Sequence, residues 1–331
     1  MKFSTNSIAL LTWLLAFLLA GIIISRLPLA GFLDAVASLQ LQDWGIWIAL
    51  NLGILTLLAG RWFILTRALQ LDLGLLQILG IRQAGQLISF VTPGPQFGGE
   101  PLQVYWLWKK YAVSGPTAIL AVGLDRFFEL SVNFGVLLLA VLALLATATA
   151  PETEWLTISA VLLGLMLLMG LAGWLLLRQP ARIRDLVGRF ASSWQKHPRL
   201  QNLGDYWSQL NDQLQTLATD CRPALGLALL TSIAAWIGMI GEFGFLLYLA
   251  DIPIELTSFI LLFTVVRLAF LLPLPGGIGS VEAALFWAFQ SMELPLAMAA
   301  SLIVLMRLRD LLILLSGALV LPSLNSVRAH Q

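Results

Sequence analysis

Thr92-Pro93-Gly94-Pro95-Gln96-Phe97-Gly98-Gly99-Glu100 breaks an otherwise apolar chain. Two prolines, three glycines and an acid make a poor recipe for continuous helix. A second stretch has the same character: Pro273-Leu274-Pro275-Gly276-Gly277-Ile278-Gly279-Ser280-Val281-Glu282. Each begins Pro-x-Pro, runs through glycines and closes on a glutamate. The correspondence continues downstream. Glu100 is followed 25 residues later by Asp125-Arg126 and then Glu129, and Glu282 is followed 25 residues later by Arg307, then Arg309 and Asp310. Paired breaks at corresponding positions of two halves point to the binding site of a membrane transporter.

The surrounding composition sets the class. Of 331 residues, 59% are hydrophobic and 11% charged, with a mean hydropathy of +0.88. A soluble domain has no use for so much apolar surface, and several windows approach the roughly 20 apolar residues that cross a bilayer. The chain therefore reads as an all-α polytopic integral membrane protein. The formal net charge of +1 gives no ground for nucleic-acid binding. One cysteine, Cys221, excludes an internal disulfide, and His197 and His330 alone offer no histidine-based metal centre. No cofactor is expected. A Gly-x-x-x-x-Gly-Lys-Ser/Thr sequence is absent, which argues against ATP hydrolysis by this chain.

About six full spans are expected, with two broken or re-entrant segments between them. Ile8–Leu27 reads as an uncleaved first span, since its core exceeds a signal-peptide h-region and no small-x-small site follows. Trp44–Leu65 is the second span, with tryptophans suited to an interface. Residues 71–90 feed the first break, and Tyr105, Trp106, Trp108, Lys109 and Lys110 after it read as an interfacial anchor. The remaining spans are Pro116–Ala146, Trp155–Leu177, Pro223–Ala250 and Leu294–Leu321. Segment 256–272 feeds the second break. Residues 178–222 carry seven basic and four acidic side chains and read as a solvated cytoplasmic loop. Placing Lys2, residues 61–110, this loop and Arg328 inside collects 14 of 19 Lys and Arg, so both termini are expected in the cytoplasm. The first half then enters its break from inside and the second from outside. Residues 1–150 and 151–325 are expected to be inverted repeats that bring two discontinuous helices together near the midplane.

Charges within spans cost roughly 2.5–3.5 kcal/mol each on insertion scales, so they face the bundle and find partners. Asp125 and Glu129 share one helix face, and Arg307 and Asp310 stand at i, i+3. With Arg126, Glu100, Glu242, Arg267, Glu282 and Arg309 they form the candidate substrate site. Its arginines suit a phosphate because the guanidinium fork binds oxyanions bidentately. Backbone N–H groups freed at Pro93, Gly94, Pro95, Gly98 and Gly99, and at Pro273, Pro275, Gly276, Gly277 and Gly279, would also favour an anion. The structural alternative is a set of internal salt bridges that lock helices together.

At these residues a resemblance emerges. Pro-Gly-x-x-x-Gly-Glu at 94–100, Asp-Arg-x-x-Glu at 125–129 and Pro-Gly-Gly-x-Gly-x-x-Glu at 276–282 resemble the lysylphosphatidylglycerol synthase transmembrane region. This flippase-like family also forms the membrane half of the multiple peptide resistance factor, and the resemblance covers about residues 8–321. It implies a lipid flippase of the cytoplasmic membrane, acting on a phospholipid, anionic or aminoacylated, or on another polar-headed lipid. A second copy of the chain or a separate lipid-modifying enzyme are the protein partners it suggests. No aminoacyl-transferase domain follows in this sequence, so synthase activity is not carried over. Two rivals stand beside the flippase: an integral-membrane glycosyltransferase using a polyprenyl-phosphate sugar, and a scaffold that transports nothing.

Overall fold

The computed structural model describes residues 40–92, 98–147, 152–178, 203–253, 255–272 and 274–325. Within them the chain is helical apart from short connectors, as an apolar sequence must be when it satisfies its own backbone hydrogen bonds. The first expected span, residues Pro93–Phe97 of the first break and Pro273 of the second lie outside the described residues.

The described residues form ten α-helices in order. They are α1 (Leu41–Ala68), α2 (Leu75–Val91), α3 (Glu100–Lys109), α4 (Gly115–Ala146), α5 (Glu152–Arg178), α6 (Leu203–Thr219), α7 (Arg222–Leu249), α8 (Leu256–Ala269), α9 (Ser280–Ser291) and α10 (Leu296–Asn325). A 3₁₀ turn, Pro275–Gly277, precedes α9. Within the described residues, α1, α4, α5 and α7 are long and apolar enough to cross a membrane. The expected last span, α10, has 30 residues but carries Arg307, Arg309 and Asp310 at its centre.

Helices α2, α3, α8 and α9 have 17, 10, 14 and 12 residues, short of the roughly 20 that cross a bilayer. They form two helical hairpins. Gly85 lies against Gln103 and Gly99, and Thr92 against Gly98, a pairing that runs antiparallel. The Ser280 hydroxyl donates to the Ala269 carbonyl at 3.1 Å while Gly277 meets Phe270, so α8 and α9 fold back in the same way. The hairpins touch each other: Phe90, at the end of α2, packs on Gly276.

Packing between helices comes in matched sets. α1 packs most extensively on α7. The pairs α2 with α10, α3 with α4, and α1 with α4 have counterparts in α8 with α4, α9 with α10, and α7 with α10. Two apolar clusters result. One gathers Trp236, Phe243 and Phe263 with Leu137–Leu144 of α4 and Ala299–Met306 of α10. The other gathers Trp62, Ile78, Ile81 and Trp106 with Ala118–Phe128 of α4 and Leu314–Leu324 of α10. Along both α4 and α10 the charges stand at the changeover from one cluster to the other.

Three sequence expectations change here. Trp106 is a core residue, 1% exposed, while Tyr105 and Trp108 remain at the surface with Lys109 over the Trp108 ring. Trp47 is buried and hydrogen-bonded to Glu242, so it is not an interface residue. The described part of the basic loop is docked, not solvated: α6 buries Leu217 and Ala218 and bonds to the start of α4. The amide nitrogens of Gln209 and Gln213 reach the hydroxyls of Ser114 and Thr117 at 2.9 and 2.6 Å.

Two glycines are irreplaceable for distinct reasons. A Cβ at Gly99 would sit 2.1 Å from the Gly85 carbonyl oxygen, which is backbone and cannot swing away. Gly276 has φ +57°, and a Cβ there would lie 2.1 Å from the Phe90 ring. Gly99→Ala and Gly276→Ala are each expected to lower stability by about 1–3 kcal/mol through overpacking, the second also through left-handed backbone. Thermal unfolding of the purified protein in detergent would check this; an unchanged melting temperature for either variant would show that its hairpin is looser than described.

Candidate functional site

The charges form two networks, one beside each break. In the first, Asp125 and Glu129 on α4 are gripped from three directions. Arg61 on α1 donates from Nε to Asp125 at 2.7 Å and from Nη2 to Glu129 at 3.0 Å. Arg82 on α2 donates to the same two carboxylates at 2.9 and 3.2 Å. Arg126 pairs with Glu129 at 3.0 Å and with Glu100 at the start of α3. Glu100 also accepts the Gly98 backbone N–H at 2.8 Å, and Ser89 accepts that of Gly99 at 2.9 Å. The described end of the break is thus held by side chains of its own hairpin.

The second network repeats this plan with a different centre. Glu282 accepts the Gly279 N–H at 2.7 Å, capping α9, and receives Arg307 at 2.6 and 2.8 Å. Arg307 also donates to Asp310 at 2.9 Å and to the carbonyls of Gly276 and Gly277 at 2.9 and 3.2 Å. All five of its N–H donors are engaged, and the residue is 2% exposed. The expected phosphate contact from Arg307 therefore finds no open donor. Arg309 pairs with Glu242 at 2.9 Å and more distantly with Asp310 at 3.6 Å. Glu242 is completed by the Trp47 indole N–H at 3.1 Å.

Between the networks lies a cavity of about 590 Å³, lined from α1, α2, α4, α5, α7, α8 and α10 and by Gly276 and Gly277 of the second break. Six of the ten candidate charged residues line it: Arg126, Glu129, Glu242, Arg267, Arg309 and Asp310. Glu100, Glu282 and Arg307 stand behind it, holding the breaks to α4 and α10, while Asp125 ties α1 and α2 to α4. Apolar residues complete the wall, and Ile48, Leu52, Leu274 and Leu312 among them are exposed.

Arg267 differs from its neighbours. Its guanidinium carbon lies over the Trp236 and Phe263 rings, 4.7 and 5.3 Å from their centroids, and Nη2 reaches the Met239 sulfur at 3.5 Å. Among the described residues no carboxylate lies within salt-bridge distance of it.

Sequence reasoning assigned Arg61 and Arg82 to the cytoplasmic surface. Arg61 is 0% exposed and Arg82 8%, so both belong to the first network and drop out of the positive-inside tally. The signal was present: each lies inside an apolar helical run, where a charge needs a partner. The neutral polar lining, including Gln86, Ser89 and Asn133, carried no comparable signal.

Comparison with known proteins bears on this site. A UPF0104 membrane protein of Methanothermobacter thermautotrophicus is 34% identical over 98 residues, which are 30% of this chain and 28% of that protein. The alignment thus spans under a third of that relative's length. No solved structure matches the chain. The family described as the lysylphosphatidylglycerol synthase TM region matches residues 6–317, nearly the whole sequence with both breaks and both charged networks inside it. This protein is an integral membrane member of the lysylphosphatidylglycerol synthase transmembrane-region family.

Proposed function

We propose that the protein is a flippase that carries a phospholipid or another polar-headed lipid across the cytoplasmic membrane. The amphipathic cavity carries this reading. A lipid needs charge-bearing walls for its headgroup and a continuous apolar exit for its chains. Here seven charged side chains share a cavity with Ile48, Leu52, Leu274 and Leu312, apolar residues that remain exposed. Its volume falls within the range of ligand pockets, about 300–1,000 Å³. A scaffold would gain nothing from such a space, because helix packing favours filling it.

Residues 1–150 and 151–325 are inverted repeats in this proposal, with both termini cytoplasmic. The matched helix contacts and the meeting of the two breaks support the repeat. So does the parallel between Glu100 with Arg126 and Glu282 with Arg307, each glutamate closing a loop N–H and pairing an arginine on the following long helix. Alternating access in such folds comes from rocking of one repeat against the other. The reading assigns no catalytic residue and no synthase activity to this chain.

Leu130 lines the cavity from α4 and takes part in neither charged network. Leu130→Trp is expected to fill it and bring lipid translocation down to the rate of protein-free vesicles. Acyl-chain-labelled lipids in proteoliposomes, with an impermeant reductant outside, would measure this. Undiminished translocation by folded Leu130→Trp would rule the cavity out as the route, and glycosyl transfer without lipid movement would favour the glycosyltransferase. Arg307→Gln is expected to act differently. It leaves Glu282 without its cation and Asp310 with only the more distant Arg309, and breaking a buried pair this way costs about 3–5 kcal/mol. Thermal unfolding and yield would fall, whereas a stable variant that lost only transport would return Arg307 to the substrate.

A further inference from the structure

The charges that line the cavity are not equivalent, and the difference bears on which headgroup it takes. Each carboxylate in the described lining is already satisfied. Glu129 receives Arg61, Arg82 and Arg126; Glu242 receives Trp47 and Arg309; Asp310 receives Arg307 and Arg309. A cationic headgroup entering this space would find no open acid and would meet three guanidinium-bound carboxylates that it must first unpair.

The cations that line it are paired with carboxylates too, with one exception, although the buried Nε of Arg309 has no hydrogen-bond partner. Arg82, Arg126 and Arg309 each hold carboxylates. Arg267 has none within reach among the described residues, and its Nε and Nη1 are neither hydrogen-bonded nor buried away from the open space. The Trp236 and Phe263 rings hold the guanidinium in place and offset part of the cost of an unpaired charge. A fixed fork with free N–H groups is what a bidentate oxyanion contact requires. Gln86 and Asn133 line the same cavity with amides that bond to no described residue, and these suit hydroxyl groups beside the anion.

We infer that the cavity takes a net-anionic phosphodiester headgroup bearing hydroxyls, docked through its phosphate on Arg267, and discriminates against cationic aminoacylated headgroups. This rests on the lipid-carrying reading for the source of the phosphate, while the anion site stands on the charge arrangement alone. Arg267 is a suitable residue to change, because removing it orphans no carboxylate.

Two measurements on the full-length protein test the inference. In proteoliposomes, acyl-chain-labelled phosphatidylglycerol, phosphatidylcholine and lysylphosphatidylglycerol are compared for translocation. In detergent, calorimetric titration compares dihexanoylphosphatidylglycerol, its lysyl ester and inorganic phosphate. Phosphatidylglycerol should be preferred over the lysyl lipid by about tenfold or more, the scale of one charge-assisted contact. Arg267→Gln should lose about that factor in binding and translocation with an unchanged melting temperature, and Arg267→Lys should recover part of it. Equal or better handling of the lysyl lipid, or undiminished binding by Arg267→Gln, would overturn the inference. Arg267-dependent binding of the short-chain lipid without any lipid crossing would uphold the anion site and sink translocation instead. Inorganic phosphate binding as tightly as the short-chain lipid would overturn the lipid as its source and assign the site to the free anion.

Discussion

Two adjacent carboxylates on one helix, Asp125 and Glu129, carry much of this architecture. Three arginines reach them from α1, α2 and one turn away on α4 itself, and Arg126 passes the connection on to Glu100 and α3. Four helices are thereby tied at one point inside an apolar bundle. Charged groups in a membrane interior are costly, at roughly 2.5–3.5 kcal/mol each on insertion scales, so such a network is stable only when its charges are paired. Pairing makes it directional, even though Arg61 Nη1 is left without a hydrogen-bond partner: each helix must arrive at one height and one rotation for the donors to meet the acids. Apolar packing alone would tolerate sliding, since lipid tails and leucine side chains are equally apolar.

The second network solves the same problem with the roles redistributed. Arg307 is the centre, and it holds broken backbone as well as carboxylates, taking the carbonyls of Gly276 and Gly277 as acceptors. Backbone that has left the helix must be paired with something if it is not to face hydrocarbon. Glu282 takes the donor side by accepting the Gly279 N–H. The α8–α9 hairpin therefore turns because its sequence breaks helix, and stays turned because one arginine and one glutamate absorb the freed groups. Phe90 on Gly276 then joins this hairpin to the other.

A division of labour follows among charges that look alike in the chain. Those behind the cavity hold the breaks, and those at its wall are mostly neutralised by one another. What is left is a part-open space with an apolar flank and one carboxylate-free guanidinium held over aromatic rings. Its chemistry is set less by how many charges it has than by which of them are already paired.

The sequence by itself determined the class and the frame. Sustained hydropathy is an additive, local property, so α1, α4, α5 and α7 could be read directly, and Pro-Gly clusters break helix wherever they stand. Periodicity also placed Asp125 with Glu129 and Arg307 with Asp310, because residues one turn apart share a face in any helix. Pairings across helices were decided only in three dimensions. Arg61 meets Asp125 across 64 residues and Arg309 meets Glu242 across 67. Trp47 became a partner of Glu242 across 195 residues. No local rule ranks those partners, so the sequence could not distinguish the saturated Arg307 from the carboxylate-free Arg267. That distinction depends on how many acids the folded chain brings within a few ångströms of each guanidinium, which packing alone decides.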